Sequence, residues 1–179
     1  MLEQDQKLVS DAQQDPQKFA VLYDKYFDQI YRYVYRRVND KDTVHDLVSQ
    51  TFFDAFSHLK SFEWRGYPFS SWLYKIAHNN VLKWYREQSK GYKVGLDEIG
   101  ELADLTADSK RDASVKETQL EVQKVIEQLD SEEREIIRLK FYEEVSNIEI
   151  AEIMGLSANH IGVKVYRTLK KVKQLLNTN

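Results

Sequence analysis

Polar side chains that form hydrogen bonds, and basic side chains, are concentrated near the C-terminus. Their types and spacing make them the strongest candidates for functional residues in this sequence. From His160 to the last residue the chain has five Lys and Arg residues and no Asp or Glu. Amide, imidazole and hydroxyl groups bond to the edges of bases, while Lys and Arg bond to phosphates. The chemistry indicated is recognition of nucleic acid. The candidate residues are Ser157, Asn159, His160, Lys164, Arg167 and Lys171.

These side chains fall on the second helix of a predicted helix-turn-helix, NIEIAEIMGLSANHIGVKVYRTLKKV, residues 147–172. Gly155 suits a left-handed position that ends a short first helix, Leu156 is expected to be buried, and Ser157 caps the second helix. The second helix of such a motif lies in the DNA major groove. A plain helical hairpin with a solvated lysine face is the alternative. The residues expected to face the core are Ile161, Val165, Leu169 and Val172.

A second candidate surface lies on a helix predicted over residues 43–59. Phe56 belongs to the apolar stripe of this helix, whereas Asp46, Gln50 and Phe53 share an outward face. An exposed aromatic ring beside an acid and an amide is typical of a protein-binding surface. Periodicity alone leaves open that Phe53 packs under the following loop.

The loop after that helix, and the next helix, combine aromatic with basic residues. Aromatic rings stack on unpaired bases while cations hold phosphates. Aromatic residues at helical spacing usually belong to the core, which we expect for Trp72 and Trp84. Phe62, Trp64 and Tyr67 lie in a polar loop, so we do not expect all three in the core. The polar face of the helix is either solvated or a DNA surface. The candidates are Phe62, Trp64, Tyr67, Ser71, Lys75, Asn79, Lys83 and Arg86.

The remaining pattern predicts an all-α protein, since the chain has only 6 Gly and 2 Pro residues. Asp15 and Pro16 begin a long helix, and helical periodicity fails only between residues 89 and 113, where three of the glycines occur. We therefore expect two small helical domains, residues 1–88 and 114–179, joined by a flexible linker over 89–113. The C-terminal domain carries the helix-turn-helix. Further helices are predicted over 16–38, 70–88, 114–129 and 130–144.

Composition argues against several classes of function. The chain has no cysteine, which excludes disulfides and thiolate metal sites and fits a cytoplasmic protein. No apolar run is long enough to span a membrane, and the N-terminus does not resemble a secretory signal. The four histidines are scattered and no glycine-rich phosphate loop occurs. We therefore expect no catalytic function, no cofactor and no metal site.

Three segments occur in the order DLVSQTFFDAF (46–56), FSSWLYKIAHNNVLKWYRE (69–87) and LDSEEREIIRLKFYEEVSNIEIAEIMGLS (129–157). They resemble the polymerase-core-binding segment, the minus-ten-reading helix and the second DNA-binding domain of one family. That family is the two-domain, extracytoplasmic-function (ECF) group of bacterial sigma factors, within the sigma-70 family. The resemblance implies a transcription initiation factor that binds the polymerase core, directs it to promoters and helps to melt the minus-ten region.

The resemblance also implies partners and residue roles. The partners are the β′ clamp helices and β flap of core RNA polymerase, promoter DNA and an anti-sigma factor. The loop 61–69 would capture a flipped base, and the polar face of the following helix would hold the minus-ten strand. The second helix of the helix-turn-helix would read the minus-thirty-five element. The residues that would meet the clamp helices are Asp46, Leu47, Gln50, Thr51 and Phe53.

The sequence departs from the family at Gly162, where the recognition helix often has a basic residue. Either the backbone approaches DNA closely there, or the usual phosphate contact is missing. A stand-alone helix-turn-helix regulator is the rival function, and it leaves the face formed by Asp46, Gln50 and Phe53 unexplained. A homologue that sequesters polymerase is a further alternative.

Overall fold

The computed structural model describes residues 2–38, 40–91 and 113–177, and all regular structure within them is helical. The prediction of an all-α fold is confirmed. The N-terminal half contains α1 (Leu2–Gln14), α2 (Phe19–Tyr35), α3 (Lys41–His58) and α4 (Phe69–Gly91), with one-turn 3-10 helices at Pro16–Lys18 and Leu59–Ser61. The C-terminal half contains α5 (Ala113–Glu127), α6 (Ser131–Phe141), α7 (Asn147–Met154) and α8 (Ala158–Leu176).

Side-chain caps explain where several of these helices begin. Asp15 caps the 3-10 turn that leads into α2, as its position before Pro16 predicts. Asp40 accepts a hydrogen bond from the amide of Thr43 at 2.8 Å and so starts α3. Asp130 begins α6 with a reciprocal capping box, the strongest form of such a start. Each cap of this kind contributes about 1 kcal/mol to stability.

The helix α1 was not predicted from the sequence, because it is mostly polar and has a short apolar pattern. Its buried residues are Asp5, Val9 and Ala12. Tertiary contacts hold it in place: Gln13 Nε2 donates to the carbonyl oxygen of Leu59 at 3.0 Å and to that of Phe62 at 2.8 Å. The helix therefore ties the N-terminus to the loop that precedes α4.

One hydrophobic core runs through both halves of the chain. It joins Leu22 and Leu73 of the N-terminal half to Ile136 and Ile150 of the C-terminal half. The principal contact is between α4 and α7. We call this packing of α7 on α4 the closed arrangement. The predicted linker mostly lies outside the described residues, but 89–91 complete α4 and residue 113 begins α5.

Two residues predicted to face the core are exposed instead. Leu169 is 42% exposed, and the neighbouring Thr168 is buried in its place. The inner face of α8 thus follows Ile161, Thr168 and Val172, because α8 packs on α5, α6 and α7. Phe56 is 44% exposed at the edge of the core, where its ring meets that of Phe19.

Candidate nucleic-acid and protein interfaces

The outward face of α3 presents an exposed aromatic ring, as the sequence predicts. Phe53 is 65% exposed, so the alternative that it packs under the following loop is wrong. Asp46 and Gln50 are also exposed on this face. The Gln50 side chain donates to Asp54 at 2.8 Å, one helical turn further along. An apolar centre with a polar rim results, which is the usual composition of a protein-binding patch.

Leu47 and Thr51 do not belong to this exposed face, and direct contact with a partner stays a prediction for both. Their side chains are buried. Thr51 Oγ1 donates to the carbonyl oxygen of Leu47 at 2.7 Å within α3. Each follows an outward residue by one position, which rotates it about 100° toward the core. Both side chains therefore lie beneath the exposed face.

A cavity of about 720 Å³ lies between the loop before α4 and the first turns of α4. This volume is within the range of roughly 300–1,000 Å³ that is usual for small-ligand sites. Its walls include Phe62, Arg65, Tyr67, Lys75 and Asn79, which supply both rings and cations. The arrangement suits an unstacked base and its phosphate.

The aromatic residues around this cavity divide into packed and accessible rings. Phe62 packs against Trp72, Phe69 and Trp64, with ring centroids 4.7, 5.5 and 6.2 Å away. Phe62 and Trp64 therefore lean on the hydrophobic core while staying partly exposed. Tyr67 is half-buried and is not part of that core cluster.

Two of the predicted minus-ten residues on α4 are bonded to α7. Ser71 Oγ donates to Glu149 at 2.6 Å, and Lys75 Nζ lies 2.8 Å from a carboxylate oxygen of Glu152. The hydrogen bond from Lys75 lowers the pKa of Glu152. Further along α4 the polar residues are exposed. They are Asn79, Lys83 and Arg86.

The helix-turn-helix forms as predicted. Gly155 ends α7 with φ +70°, in the left-handed region, and the Ser157 hydroxyl accepts a hydrogen bond from the His160 amide at 3.2 Å. Leu156 is only partly buried, packed against the core. Ser157, Asn159, His160 and Arg167 are exposed.

Acidic residues at the start of α6 pair with several basic residues of α8. Glu132 lies 2.8 Å from Lys164 Nζ and 3.4 Å from His160 Nε2. Glu133 lies 2.7 Å from Lys171 Nζ. The hydrogen bond between Lys164 and Glu132 raises the pKa of Lys164 and lowers that of Glu132. Such exposed pairs contribute little stability, so they can exchange for phosphate contacts.

Sequence reasoning missed a buried polar cluster between the halves. Arg37, just after α2, donates from Nε and Nη2 to the two carboxylate oxygens of Glu135, each at 2.9 Å. Tyr33 donates to the same carboxylate at 2.8 Å. A second link joins Arg36 Nη1 to Glu143 at 2.6 Å. No pattern of neighbouring residues predicts these pairs, because the partners are about 100 residues apart in the sequence.

Packing does not require a glycine at position 162. A Cβ atom added to Gly162 would meet only Asn147 Nδ2, at 4.0 Å. The helix therefore has room there for a side chain.

Family models match both halves. Residues 22–91 match sigma-70 region 2, and residues 119–172 match sigma-70 region 4. The chain belongs to the sigma-70 family. Region 2 of this sigma factor contains the surface on α3 and the cavity beside α4, and region 4 contains the helix-turn-helix. The three surfaces therefore follow the order of the two family regions along the chain.

Named relatives place this sigma factor in the ECF group. It is 29% identical over 158 residues to the ECF sigma factor BldN of Streptomyces coelicolor, covering 88% of this chain and 60% of that relative. It is 29% identical over 155 residues to the sigma factor YlaC of Bacillus subtilis, covering 86% of this chain and 88% of YlaC. The fold matches that of the sigma factor RpoE of Bartonella quintana, solved with the anti-sigma factor NepR. There the TM-score is 0.69 at 20% identity, covering 90% of this chain and 98% of the other.

The described residues form neither a membrane-spanning helix nor a cluster of metal ligands. None of the helices there is long and apolar enough to cross a membrane. The same residues contain no group of three or more His, Asp or Glu side chains placed to hold a metal ion.

Proposed function

We propose that this sigma factor binds core RNA polymerase, directs it to specific promoters and helps to melt the minus-ten region. The observation that carries the proposal is the order of three surfaces on one chain. An exposed aromatic face on α3 comes first, the ring-and-cation cavity beside α4 second, and the helix-turn-helix third. A stand-alone regulator needs only the last of these.

The face on α3 is the surface that contacts polymerase. Phe53 supplies the apolar anchor, with Asp46 and Gln50 at its rim, and the β′ clamp helices are the proposed partner. Exposed aromatic residues of this kind dominate binding energy at many interfaces. The β flap is the proposed partner of the C-terminal half.

The cavity beside α4 is the site for a base flipped from the minus-ten strand. Tyr67 lines the cavity and Trp64 packs against the lining residue Phe62, so both offer rings near it for stacking. Asn79, Lys83 and Arg86 continue the surface along α4. Binding to unpaired bases offsets the free energy of melting, so the reaction needs no catalytic group. We therefore infer a non-enzymatic regulator.

The exposed start of α8 is the surface that reads the minus-thirty-five element. Asn159 and His160 are close enough to the N-terminus of α8 to reach base edges in the major groove. Lys164, Arg167 and Lys171 lie further along the helix and suit phosphate contacts. Lys164 and Lys171 must first leave Glu132 and Glu133.

The closed arrangement is the resting form. Ser71 and Lys75 cannot hold a DNA strand while they bond to Glu149 and Glu152, so the halves separate before the minus-ten surface is used. The related fold of RpoE was solved with an anti-sigma factor, which supports a similar partner for this chain. Because the proposed partners are polymerase and promoter DNA, we infer a cytoplasmic location.

Run-off transcription from a randomised promoter library tests the proposal, using bacterial core polymerase with and without this chain. We expect defined transcripts only when the chain is present, and the Phe53→Ala variant serves as the matched negative control. Absence of transcripts despite intact core binding would support a sequestering homologue. Absence of both transcripts and core binding would support the stand-alone regulator.

A further inference from the structure

A second cavity, of about 210 Å³, lies between α4 and α6 where the two halves meet. His78 and Tyr85 line it from α4, and Arg134 and Arg138 line it from α6. One water molecule takes up about 30 Å³ of liquid volume. The cavity therefore has room for a small tetrahedral oxyanion with some of its hydration.

Positive charge in the walls of this cavity exceeds negative charge. Within the described residues the walls carry three Arg side chains, including Arg37, and two Glu side chains, Glu132 and Glu135. Glu135 accepts hydrogen bonds from Arg37 and Tyr33, and Glu132 is half-exposed and already paired with Lys164. Among the described residues, neither carboxylate forms an ion pair with Arg134 or Arg138.

Arg138 is the guanidinium group in these walls that most clearly lacks hydrogen-bond partners. It is 2% exposed, and its Nε and Nη2 atoms have no hydrogen-bond partner among the described residues. Buried charges are normally paired, because desolvating an isolated charge is costly. Burial, together with the positive charges of Arg37 and Arg134, lowers the pKa of Arg138 to about 10, which leaves it charged at neutral pH.

Arg134 adds further donors to the same wall. Its Nη2 donates to the carbonyl oxygens of Glu127 at 2.7 Å and Leu129 at 2.9 Å, which carry no charge. Its Nε atom is buried without a partner in the described part of the chain. Arg134 and Arg138 therefore leave three buried nitrogen donors unused beside one cavity.

We propose that this cavity binds a free oxyanion of the phosphate class, held by Arg138 and Arg134. The planar guanidinium group matches the oxygen atoms of phosphate in pairs, which makes such bonds short and strong. A chain of nucleotides is too large for a cavity of this volume, so the ligand is a small anion and not a DNA backbone. Because its walls come from both halves, the bound anion stabilises the closed arrangement.

The test measures thermal unfolding of the whole chain in increasing sodium phosphate, with ionic strength held constant by sodium chloride. A ligand that binds only the folded chain stabilises it by RT ln(1 + L/Kd), where L is the ligand concentration, so the melting temperature rises with that concentration. Phosphate also stabilises folded proteins nonspecifically, so we expect a larger rise for the wild type than for Arg138→Gln. Arg32→Gln removes the same charge from an exposed position on α2, outside the proposed interfaces, and should behave like the wild type. An equal rise in the wild type and Arg138→Gln, or an equal reduction in Arg32→Gln, overturns the proposal.

Calorimetric titration of inorganic phosphate into the wild-type chain decides the matter even if Arg138→Gln does not fold. We expect saturable binding at one site, weakened about ten- to a hundredfold by Arg138→Gln, as for loss of a charge-assisted hydrogen bond. Lack of saturable binding overturns the proposal. A parallel titration with single-stranded DNA separates the two sources of phosphate, since an Arg138-dependent effect seen only with DNA also overturns it.

Discussion

Glu135 on α6 accepts two parallel hydrogen bonds from Arg37, which follows α2, with donor–acceptor distances of 2.9 Å each. Both side chains are buried, and they belong to different halves of the chain. Two parallel hydrogen bonds between the same guanidinium and carboxylate groups restrict how α6 can lie against the end of α2. Burying either member alone is costly, so the pair selects the closed arrangement over others.

The substitution Glu135→Gln should separate the two halves. It leaves the Arg37 guanidinium buried without a counter-charge, and breaking a buried pair in this way costs about 3–5 kcal/mol. Because the chain has no cysteine, two cysteines introduced at the exposed Lys60 and Lys173 can carry fluorescent labels. We expect a longer distance between labels in the variant.

Glu121→Gln is the matched control, because it removes the same charge from an exposed position on α5. The label distance should stay at the wild-type value in this control. A wild-type distance in folded Glu135→Gln would mean that the buried pair does not hold the halves together.

The closed arrangement should also weaken in acid. Burial alone would raise the pKa of Glu135, but the charge of Arg37 and the hydrogen bond from His78 outweigh it and hold this pKa well below its ordinary value. The stabilisation is complete above the ordinary Glu pKa of about 4.3 and is lost as the pH falls below it. The label distance should therefore be constant near neutral pH and increase in acid.

Other carboxylates also lie at the interface, so the decisive comparison is between the wild type and Glu135→Gln. The variant lacks the carboxyl group and should show a smaller change in label distance on acidification. An identical acid response in both proteins would assign the effect to other groups.

Phe53→Ala should weaken polymerase binding about thirtyfold or more without unfolding the chain. The ring is 65% exposed, so its loss should change the free energy of unfolding by no more than about 0.5 kcal/mol. An interface anchor contributes about 2 kcal/mol or more, which is roughly a thirtyfold loss of affinity. Affinity for core polymerase and chemical denaturation, measured on the same preparation, check both statements.

Val21→Ala supplies the comparison, since Val21 is 49% exposed on α2, outside the surfaces proposed for polymerase and DNA. It removes exposed apolar surface and should leave polymerase affinity unchanged. Equal losses in the two variants would indicate nonspecific apolar binding.

Arg167→Ala should reduce the salt dependence of promoter binding by the polymerase complex. Each phosphate contact contributes about 0.9 to the slope of log affinity against log salt concentration, so the slope should fall by about that amount. Lys164→Ala should act in the same direction, and Lys124→Ala, which is exposed on α5, should not. An unchanged slope in Arg167→Ala would show that this residue does not touch phosphate.

Gly162→Ala should stabilise the chain by about 1 kcal/mol, because glycine inside a helix is unfavourable by that amount. The added Cβ meets only Asn147 Nδ2, at 4.0 Å, so no clash opposes the gain. Thermal unfolding checks the stability, and a destabilised variant would contradict it. Promoter affinity then separates two alternatives: weaker binding indicates close approach of DNA to the backbone, and unchanged binding indicates a missing phosphate contact.

Features that depend on neighbouring residues were predictable. The caps at Asp15 and Ser157 and the left-handed Gly155 all agree with the structure. Each depends on helical periodicity or on the preference of one side chain for a helix end, and both act over a few residues.

Features that depend on distant contacts were not predictable. The helix α1 owes its position to bonds such as Gln13 with Phe62, and Thr168 replaces Leu169 at the core because α8 packs on three other helices. Periodicity shows which residues share a face of a helix, but not how far that face is covered by its neighbours.

The sequence by itself determined the helices after α1, their order and the residue types that suit polymerase and promoter contacts, because local propensity and spacing are properties of the chain alone. Only the tertiary structure decided that Ser71 and Lys75 are engaged by α7, that Leu47 and Thr51 lie beneath the α3 face, and that Arg37 meets Glu135. Those outcomes depend on which surfaces become buried together, and burial sets the free energy of every charge and ring involved.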